Sequence, residues 1–261
     1  MEKEVLDNTK EKGDIFRDGD VIINIEHLQK SFGRTRVLKD ISFQLHKKEN
    51  IAVLGTSGTG KSVLIKSIVG LIHPEGGKLE VFGKNILDKD DEEDWESLRR
   101  KVAYLFQGGA LYDSMTVKQN LEFPLKRQVE KKSKAEIADA VDEALENVGL
   151  MEAKNKMPAE LSGGMKKRIA LARTLILKPE IMLYDEPTTG LDPVTSKEIS
   201  NLILEMQEKF NISSIIVTHD MPCAKMTSDK VIILKEGKVG AEGKYDDLVN
   251  SKEEWVRAFF T

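Results

Sequence analysis

The stretch Gly55–Ser62, which reads GTSGTGKS, follows the pattern G-x-x-x-x-G-K-[ST] and predicts a loop that binds phosphate groups. Apolar residues 51–54 before it are typical of a buried strand, and residues 62–69 after it predict a helix. In this arrangement glycines let backbone N–H groups turn inward, and the helix N-terminus adds partial positive charge. We expect Lys61 to reach the outer phosphates and the Ser62 hydroxyl to bind Mg²⁺. The sequence therefore predicts that this chain binds a nucleotide.

The composition narrows the class of protein. With 261 residues, the chain is long enough for one large domain or for a domain with a subdomain. It carries 40 Lys and Arg against 44 Asp and Glu, a net charge of −4, which argues against binding nucleic acid through a broad basic surface. Its one cysteine, Cys223, cannot form an internal disulfide, which suits a reducing cytoplasm.

Hydropathy gives no sign of direct insertion into a membrane. No apolar stretch approaches the roughly 18–20 residues that span a bilayer. The N-terminal residues are charged and lack the apolar core of a signal peptide. We therefore expect any association with a membrane to go through a partner protein.

The pattern along the chain predicts an α/β fold with a strand-rich edge. Residues 1–19 mix charges with almost no apolar residues, which predicts a flexible tail. Alternation predicts strands at Val21–Ile25 and Val37–Leu45, with a turn at Lys30–Gly33 between them. The pattern becomes helical from about 108 to 178, where Ser133 and Glu136 predict a capping box.

A second acidic anchor is expected near a bound triphosphate and its metal. The apolar strand Ile181–Tyr184 delivers Asp185 and Glu186 at its carboxyl end, where α/β sheets place their ligand crevices. We expect Asp185 to hold Mg²⁺ and Glu186 to polarise or deprotonate the attacking water. The competing interpretation is an ordinary turn, which the presence of a phosphate loop makes less favourable.

Further motifs resemble a known family. Leu161–Met165 reads LSGGM and resembles the LSGGQ signature of ATP-binding cassette (ABC) proteins. Gly190–Pro193 resembles the D-loop of that family, and Val217–Asp220 resembles its switch-histidine segment. Together with the phosphate loop and Asp185-Glu186, these elements follow the family's order over residues 21–245. The resemblance implies a P-loop NTPase fold of the ABC type, with an antiparallel β edge subdomain and an inserted helical subdomain at about 108–178.

The resemblance also implies roles for the matching residues. Phe32 matches the aromatic that stacks on adenine, although a loop aromatic packed on the core is a close alternative. Gln107 matches the Q-loop glutamine, for which a solvated turn residue is the alternative. Ser162 and the two glycines after it open a helix and form an anion site that, in the family, faces the nucleotide of a second subunit.

The predicted site therefore has five groups. ATP-binding residues are Phe32, Gly55, Thr56, Ser57, Gly58, Thr59, Gly60, Lys61 and Ser62; catalytic residues are Gln107, Glu186 and His219; Mg²⁺ ligands are Ser62, Gln107 and Asp185; the signature that acts on a second subunit is Ser162, Gly163 and Gly164; the D-loop residue is Asp192. The substrate implied is ATP, with Mg²⁺ as cofactor.

Departures from the common pattern indicate a subfamily. Met165 stands where Gln is usual, and Val63 where Thr is usual. These features, with residues 106–125 and the C-terminal Trp255–Phe260, resemble the ATPase of MCE-associated transporters, including the maintenance-of-lipid-asymmetry (Mla) phospholipid system. The resemblance implies a homodimer on the cytoplasmic face of the inner membrane, below a polytopic permease that works with an MCE-domain lipid-binding protein. Some Mla systems also include a small regulatory subunit.

Several alternatives remain at this stage. Within the same class, the cargo could be different, such as amino acids or lipoproteins, and finding no MCE-type partner would favour that alternative. Non-transport ABC ATPases of translation carry two cassettes, and those of DNA maintenance carry a long coiled-coil insert; this sequence has one cassette and no sustained heptads. A non-hydrolysing regulatory binder is disfavoured by Glu186 and His219. Residues 109–115 and 123–125 are expected to form either a groove for a permease helix or subdomain core. We expect a domain at 20–245 and a short C-terminal extension at 246–261.

Overall fold

The computed structural model describes residues 20–87, 92–128 and 132–260, so the tail expected at 1–19 lies outside the described residues. The strands are β1 (Val21–Phe32), β2 (Thr35–His46), β3 (Asn50–Gly55), β4 (Gly76–Val81), β5 (Lys84–Asn85), β6 (Val102–Leu105), β7 (Ile181–Asp185), β8 (Ser213–Val217), β9 (Lys230–Lys235) and β10 (Lys238–Gly243). The helices are α1 (Lys61–Ile68), α2 (Glu92–Lys101), α3 (Val117–Lys126), α4 (Lys134–Asn147), α5 (Gly163–Leu175), α6 (Pro193–Phe210), α7 (Met221–Thr227), α8 (Tyr245–Val249) and α9 (Glu254–Arg257).

Within the described residues, the ten strands form one mixed sheet in the order β5-β4-β1-β2-β10-β9-β3-β8-β7-β6. Strands β9, β3, β8, β7 and β6 are parallel neighbours. Strands β1, β2, β4 and β5 pair antiparallel at the other side of the sheet. The predicted α/β fold with an antiparallel edge is therefore confirmed.

The central parallel strands β3, β7 and β8 are buried on both faces, which explains why they read as largely continuous apolar runs. Because side chains alternate along a strand, Met182 and Tyr184 of β7 pack with α5 and α6 in one core, whereas Ile181 and Leu183 pack with α1 in the other. A third, smaller cluster joins Leu54 of β3 to the chain's last helices. The loop that follows β3 thus leaves the sheet between the second and third clusters, because β3 contributes side chains to both.

The first hairpin differs from the sequence prediction. Lys30, Ser31 and Phe32 were expected in a turn, but they continue β1 and pair with β2, with Phe32 opposite Thr35. The turn itself is shorter, because Gly33 adopts a left-handed conformation with φ of 60° that closes a two-residue connection. Irregular register along β1 lets this long strand follow the twist of its neighbours.

The helical stretch after β6 begins with α3, whose N-terminus carries a capping box formed by Thr116 and Gln119. The box predicted at Ser133 and Glu136 is also present and opens α4. Apolar side chains of α3, α4 and α5 share one core with α6. Among the residues described here, no helix combines the length and the apolar character that crossing a membrane requires.

Candidate nucleotide-binding and hydrolysis site

Four neighbouring parallel strands bring predicted site residues to one edge of the sheet. Strand β3 ends at the phosphate loop, β7 ends at Asp185, β8 leads to His219 and β6 leads to Gln107. The carboxyl ends of parallel strands lie at the same edge, where α/β proteins bind ligands. Residues more than 100 positions apart in sequence therefore share one site.

A cavity of about 780 Å³ opens at this edge. It is lined by Phe32, Val37, Gly55, Thr56, Ser57, Gly58, Gly60, Lys61, Ser62, Val63, Gln107, Glu186 and His219. Phe32 is 50% exposed, so its ring is accessible for stacking on a base. Thr59 lines a neighbouring cavity instead, and its hydroxyl donates to the Thr56 carbonyl at 2.9 Å.

The end of the phosphate loop requires glycine. Gly60 caps α1 in the left-handed region, with φ of 99°. A Cβ atom at this position would lie 2.6 Å from Leu38 Cδ2. Both the backbone conformation and the close packing on β2 therefore exclude a side chain, and they fix how α1 points at the cavity.

The Lys61 side chain folds over the loop that it follows. Its Nζ donates to the Gly55 carbonyl at 2.7 Å and to the Thr56 carbonyl at 3.2 Å. Burial lowers the pKa of Lys61, and the negative charges of Glu186 and Asp185 partly oppose this effect. A partly desolvated ammonium group at the N-terminus of α1 favours an anionic ligand, as the sequence predicts for phosphate.

Asp185 is held by hydroxyl groups on both carboxylate oxygens. The Ser62 hydroxyl donates to Oδ1 at 2.9 Å, and the Tyr104 hydroxyl donates to Oδ2 at 2.6 Å. Asp185 as a whole residue is only 6% exposed. Burial, followed by the bond to Asp185, raises the pKa of Tyr104 far above its usual range, so its hydroxyl stays protonated at neutral pH.

The Ser62 and Asp185 oxygens fit Mg²⁺ shared with a substrate. Mg²⁺ prefers oxygen ligands and is usually bound by one or two carboxylates together with substrate phosphates. Within the part of the chain that the structure describes, no cluster of three or more His, Cys, Asp or Glu could form a complete protein metal site. The neighbouring hydroxyl and carboxylate therefore suit a metal that phosphate oxygens help to hold.

Glu186 lies at a strained backbone position with its carboxylate directed to His219. Its φ is 52°, which is uncommon for a residue with a side chain, and its N–H donates to the Val217 carbonyl at 2.8 Å. Glu186 Oε2 lies 2.7 Å from His219 Nδ1 and accepts from the Thr189 hydroxyl at 3.1 Å. The His219 side chain is 66% exposed, whereas that of Glu186 is 13% exposed. One carboxylate is thus oriented by two partners at the cavity.

Lys167 of α5 contacts the backbone just after the ends of β6 and β7. Its Nζ donates to the Gln107 carbonyl at 2.5 Å and to the Glu186 carbonyl at 3.3 Å. Burial lowers the pKa of Lys167, with Glu186 and then Asp185 opposing the shift. The side chain of Gln107 is exposed and faces the cavity. Lys167 therefore fixes the backbone at both residues without lining the cavity itself.

The signature and D-loop residues form a separate surface. Ser162 caps α5, its hydroxyl accepting from the Met165 N–H at 3.2 Å, and Gly163 beside it is exposed. A Cβ atom on Gly164 would lie 2.7 Å from Thr195 Cγ2 of α6. These residues do not line the 780 Å³ cavity of their own chain.

Asp192 has a defined structural task at that surface. It caps α6 by accepting from the N–H groups of Val194 and Thr195, each at 3.0 Å. Its other oxygen accepts from the Thr195 hydroxyl at 2.5 Å. The Thr195 side chain, more than the backbone bonds, lowers the pKa of Asp192. The cap thereby also fixes the threonine methyl group against Gly164.

Tyr104, Lys167 and Thr189 were not predicted from the sequence. Tyr104 lies in β6 and precedes Gln107 by three residues, but no local pattern links it to Asp185. Lys167 lies in a run of three basic residues, yet it precedes the buried Ala170 and Leu171 by one helical turn, a signal that it faces inward. Thr189 lies three residues after Glu186, within reach of its side chain in a tight turn.

The family model for the ABC transporter matches residues 38–189. A Mycobacterium leprae protein named "Probable ribonucleotide transport ATP-binding protein mkl" is 41% identical over 92% of this chain and 68% of its own length. The chloroplastic protein TRIGALACTOSYLDIACYLGLYCEROL 3 of Arabidopsis thaliana is 37% identical over 97% of this chain and 76% of its own. The methionine import ATP-binding protein MetN of Campylobacter jejuni is 37% identical over 87% and 72%.

Solved structures agree with these relatives. The fold is similar to cbiO1 of Clostridium perfringens, part of the ABC transporter complex cbiONQ, with a TM-score of 0.82, 33% identity and coverage of 91% of this chain and 93% of that one. It is also similar to the ATP-binding cassette MJ0796, in a dimeric post-hydrolysis structure with ADP and Pi, with a TM-score of 0.77, 30% identity and coverage of 85% and 98%. This chain therefore belongs to the ABC transporter family, as an ATP-binding cassette that hydrolyses ATP.

Proposed function

We propose that this chain uses Mg²⁺-ATP to power phospholipid transport through a membrane permease. The observation that carries the ATPase part is the single cavity in which the phosphate loop, Glu186, His219 and Gln107 meet. The family fixes the reaction class, while the cargo, the partners and the residue roles below are our proposal. We place the chain as a peripheral protein on the cytoplasmic face of the inner membrane.

The site residues divide the chemistry among them. Glu186 polarises the attacking water, and His219, bonded to the same carboxylate, reports the presence of the γ-phosphate. Ser62, Gln107 and Asp185 hold Mg²⁺, which when bound neutralises charge on the phosphate oxygens. The loop residues 55–62 bind the phosphates, and Phe32 stacks on adenine.

A homodimer would complete two such sites. Ser162 and Gly163 lie exposed at the N-terminus of the 13-residue helix α5, outside the cavity of their own chain. A helix N-terminus with free N–H groups suits a phosphate. We propose that each signature closes on the nucleotide of the other copy, with Asp192 at the junction. The dimeric cassette MJ0796 supports this arrangement by similarity.

A permease helix would dock in a groove beside β6. A cavity of about 340 Å³ is lined there by Val69, Leu71, Arg99, Val102, Ala103, Tyr104, Tyr112, Phe123, Pro124, Arg173, Thr174 and Leu177. This surface, the β6 groove, is apolar with two guanidinium groups. It suits an amphipathic helix that carries an acidic side chain. Of the apolar residues expected to form either groove or core, Leu125 is buried in the helical core, whereas Phe123 and Pro124 face the groove.

Two resemblances support phospholipid as the cargo. The segment 106–125 and the C-terminal residues resemble MCE-associated ATPases, and one relative is named for a galactolipid, trigalactosyldiacylglycerol. We propose an MCE-domain lipid-binding protein as a partner, a small regulatory subunit as in some Mla systems, and no nucleic acid. Amino-acid transport is the second candidate, because the methionine importer MetN matches over 87% of this chain.

We propose domain limits that follow the same resemblance. They are a tail at 1–19, the ATP-binding domain at 20–245 with a helical subdomain at about 108–178, and an extension at 246–261. The extension packs on β3 and β9 through Leu248 and Val256.

Affinity purification tests the cargo. The tagged chain is extracted gently from its native membranes, and the co-purifying proteins and lipids are identified by mass spectrometry. A multi-span permease with an MCE-domain protein and phospholipid supports the proposal. A permease with a different solute receptor keeps the ATPase and rejects the lipid, whereas ribosomes or DNA without a membrane protein reject transport. A variant with Phe123→Asp in the groove is the matched control, since it should lose the permease while still binding nucleotide.

A further inference from the structure

Tyr104 lies between the β6 groove and the metal-binding carboxylate. Its ring lines the groove, and its hydroxyl donates to Asp185 Oδ2 at 2.6 Å. The register explains this contact. Tyr104 of β6 is paired with Leu183 of β7, and Asp185 is two residues further on, so both side chains lie on one face as diagonal neighbours.

We propose that Tyr104 is a positioning residue that couples the groove to the Mg²⁺ site. Its hydroxyl fixes the rotation of the Asp185 carboxylate, and a helix seated in the groove acts on Asp185 by pressing on the Tyr104 ring. The inference rests on the proposed metal role of Asp185 and on the proposed docking at the groove.

The carboxylate geometry carries the first half of this inference. Ser62 contacts Oδ1 and Tyr104 contacts Oδ2, so each oxygen has its own hydroxyl partner. With Oδ2 held by a short bond, Oδ1 stays directed toward Ser62, where the metal would bind. Hydrogen-bond partners of this kind orient metal ligands and typically change metal affinity about 10- to 100-fold when removed.

The ring contacts carry the second half. Tyr104 packs edge-on against Phe106, with ring centroids 4.5 Å apart. Phe106 is 41% exposed and is followed directly by Gln107. A partner side chain in the groove therefore meets Tyr104, whose hydroxyl contacts Asp185 and whose ring contacts Phe106, the residue before Gln107.

Mg²⁺-dependent nucleotide binding tests the metal half without using turnover. The probe is ATP carrying an N-methylanthraniloyl fluorophore on the ribose, titrated at increasing free Mg²⁺ against the full chain with Glu186→Gln. We expect Tyr104→Phe to require about tenfold more Mg²⁺ for half-maximal tightening, with Mg²⁺-free binding unchanged. Tyr112→Phe is the matched control, because Tyr112 lines the same groove and makes no contact with Asp185 among the described residues.

The outcomes separate the inference from the function on which it rests. An unchanged Mg²⁺ requirement in Tyr104→Phe, or an equal shift in Tyr112→Phe, overturns the role of Tyr104. If nucleotide binding by the parent protein does not depend on Mg²⁺, the proposed metal role of Asp185 is refuted. The metal half and the coupling half of the inference about Tyr104 then fail with it. Equal Mg²⁺-free affinity in the variants shows that the nucleotide site has folded.

The complex with its permease tests the coupling half. The same probe and the same Glu186→Gln background are used on the isolated chain and on the complex extracted from membranes. We expect the complex to need about fivefold less Mg²⁺ than the isolated chain, a modest coupling for two linked sites, and this difference to vanish with Tyr104→Phe. Equal Mg²⁺ requirements of chain and complex, or a difference that survives Tyr104→Phe, would refute coupling through this residue.

Discussion

Exchanging Glu186 for Gln removes one negative charge while keeping the shape of the side chain. The Gln oxygen can still accept from Thr189 and from His219 Nδ1, which contact the native carboxylate at 3.1 and 2.7 Å. We therefore expect the fold and the cavity to persist. What is lost is the basic oxygen that, in the proposed mechanism, polarises or deprotonates the attacking water.

The magnitude follows from that chemistry. A positioned general base contributes about 10²- to 10⁴-fold to a rate, or roughly 2.7–5.4 kcal/mol at about 1.36 kcal/mol per tenfold. Nucleotide binding should not weaken, because the substrate is anionic and the substitution removes a nearby negative charge. We thus expect ATP turnover to fall between about 100- and 10,000-fold with an equal or smaller Kd for ATP.

Steady-state phosphate release and equilibrium binding of ATP measure the two quantities. Thr189→Val is the control, because it deletes only one hydrogen bond to the same carboxylate. One such bond contributes about 0.5–1.5 kcal/mol, so the control should lose only about two- to thirteenfold in rate. Turnover by Glu186→Gln within tenfold of the parent, or a rate no lower than that of the control, would remove Glu186 from its proposed role.

Three further expectations concern the frame around the site. Lys167→Met removes the ammonium donor from the carbonyl oxygens of Gln107 and Glu186, of which that of Glu186 keeps the Thr189 N–H at 3.3 Å. The variant should lower turnover, and it should lower the free energy of unfolding by about 1–3 kcal/mol. Exposed Lys166→Met should change neither quantity, and equal effects of the two variants would contradict the bridging role of Lys167. Gly164→Ala should lower the free energy of unfolding by about 1–3 kcal/mol, because its Cβ would clash with Thr195 of α6. Gly163→Ala is the control, since a Cβ has room at that position and should leave chemical denaturation unchanged. If Gly164→Ala also leaves it unchanged, α6 can move to accept the methyl group. The lowered pKa of Asp192 predicts a stability contribution that is complete above pH 3.8 and is lost as pH falls through the lower pKa of the folded state. Asp192→Asn should flatten this acid limb in thermal unfolding, and an unchanged limb would argue against the cap as its source.

Local patterns predicted much of the framework. The phosphate loop, the capping box at Ser133 and the helix opened by Ser162 each depend on residues close together in sequence, and each is present. The strand that ends at Asp185 was evident because a strand buried on both faces is continuously apolar. Short-range chemistry of this kind is readable from a single chain.

Contacts between distant segments were not readable. Tyr104 and Asp185 are 81 positions apart, and Lys167 is 60 positions from Gln107. These pairs form only because β6 lies beside β7 in the sheet, and no local pattern specifies that strand order. The extra length of β1 also depends on a neighbouring strand, because pairing with β2 extends β1 through residues that were expected in a turn.

Helix α5 carries residues of three different contacts at fixed positions along its length. Ser162 caps its first turn, Lys167 supports the two strand ends, and Arg173 and Thr174 line the β6 groove near its last turn. A helix rises about 1.5 Å and turns about 100° per residue, so the cap and the groove residues lie about 18 Å apart along the helix axis. One inserted residue between them would turn the groove side chains by about 100° relative to the cap, whereas seven would restore their phase to within about 20°. In the proposed dimer, the rotational phase of this helix would therefore decide whether movement at one copy's nucleotide reaches the permease of the other.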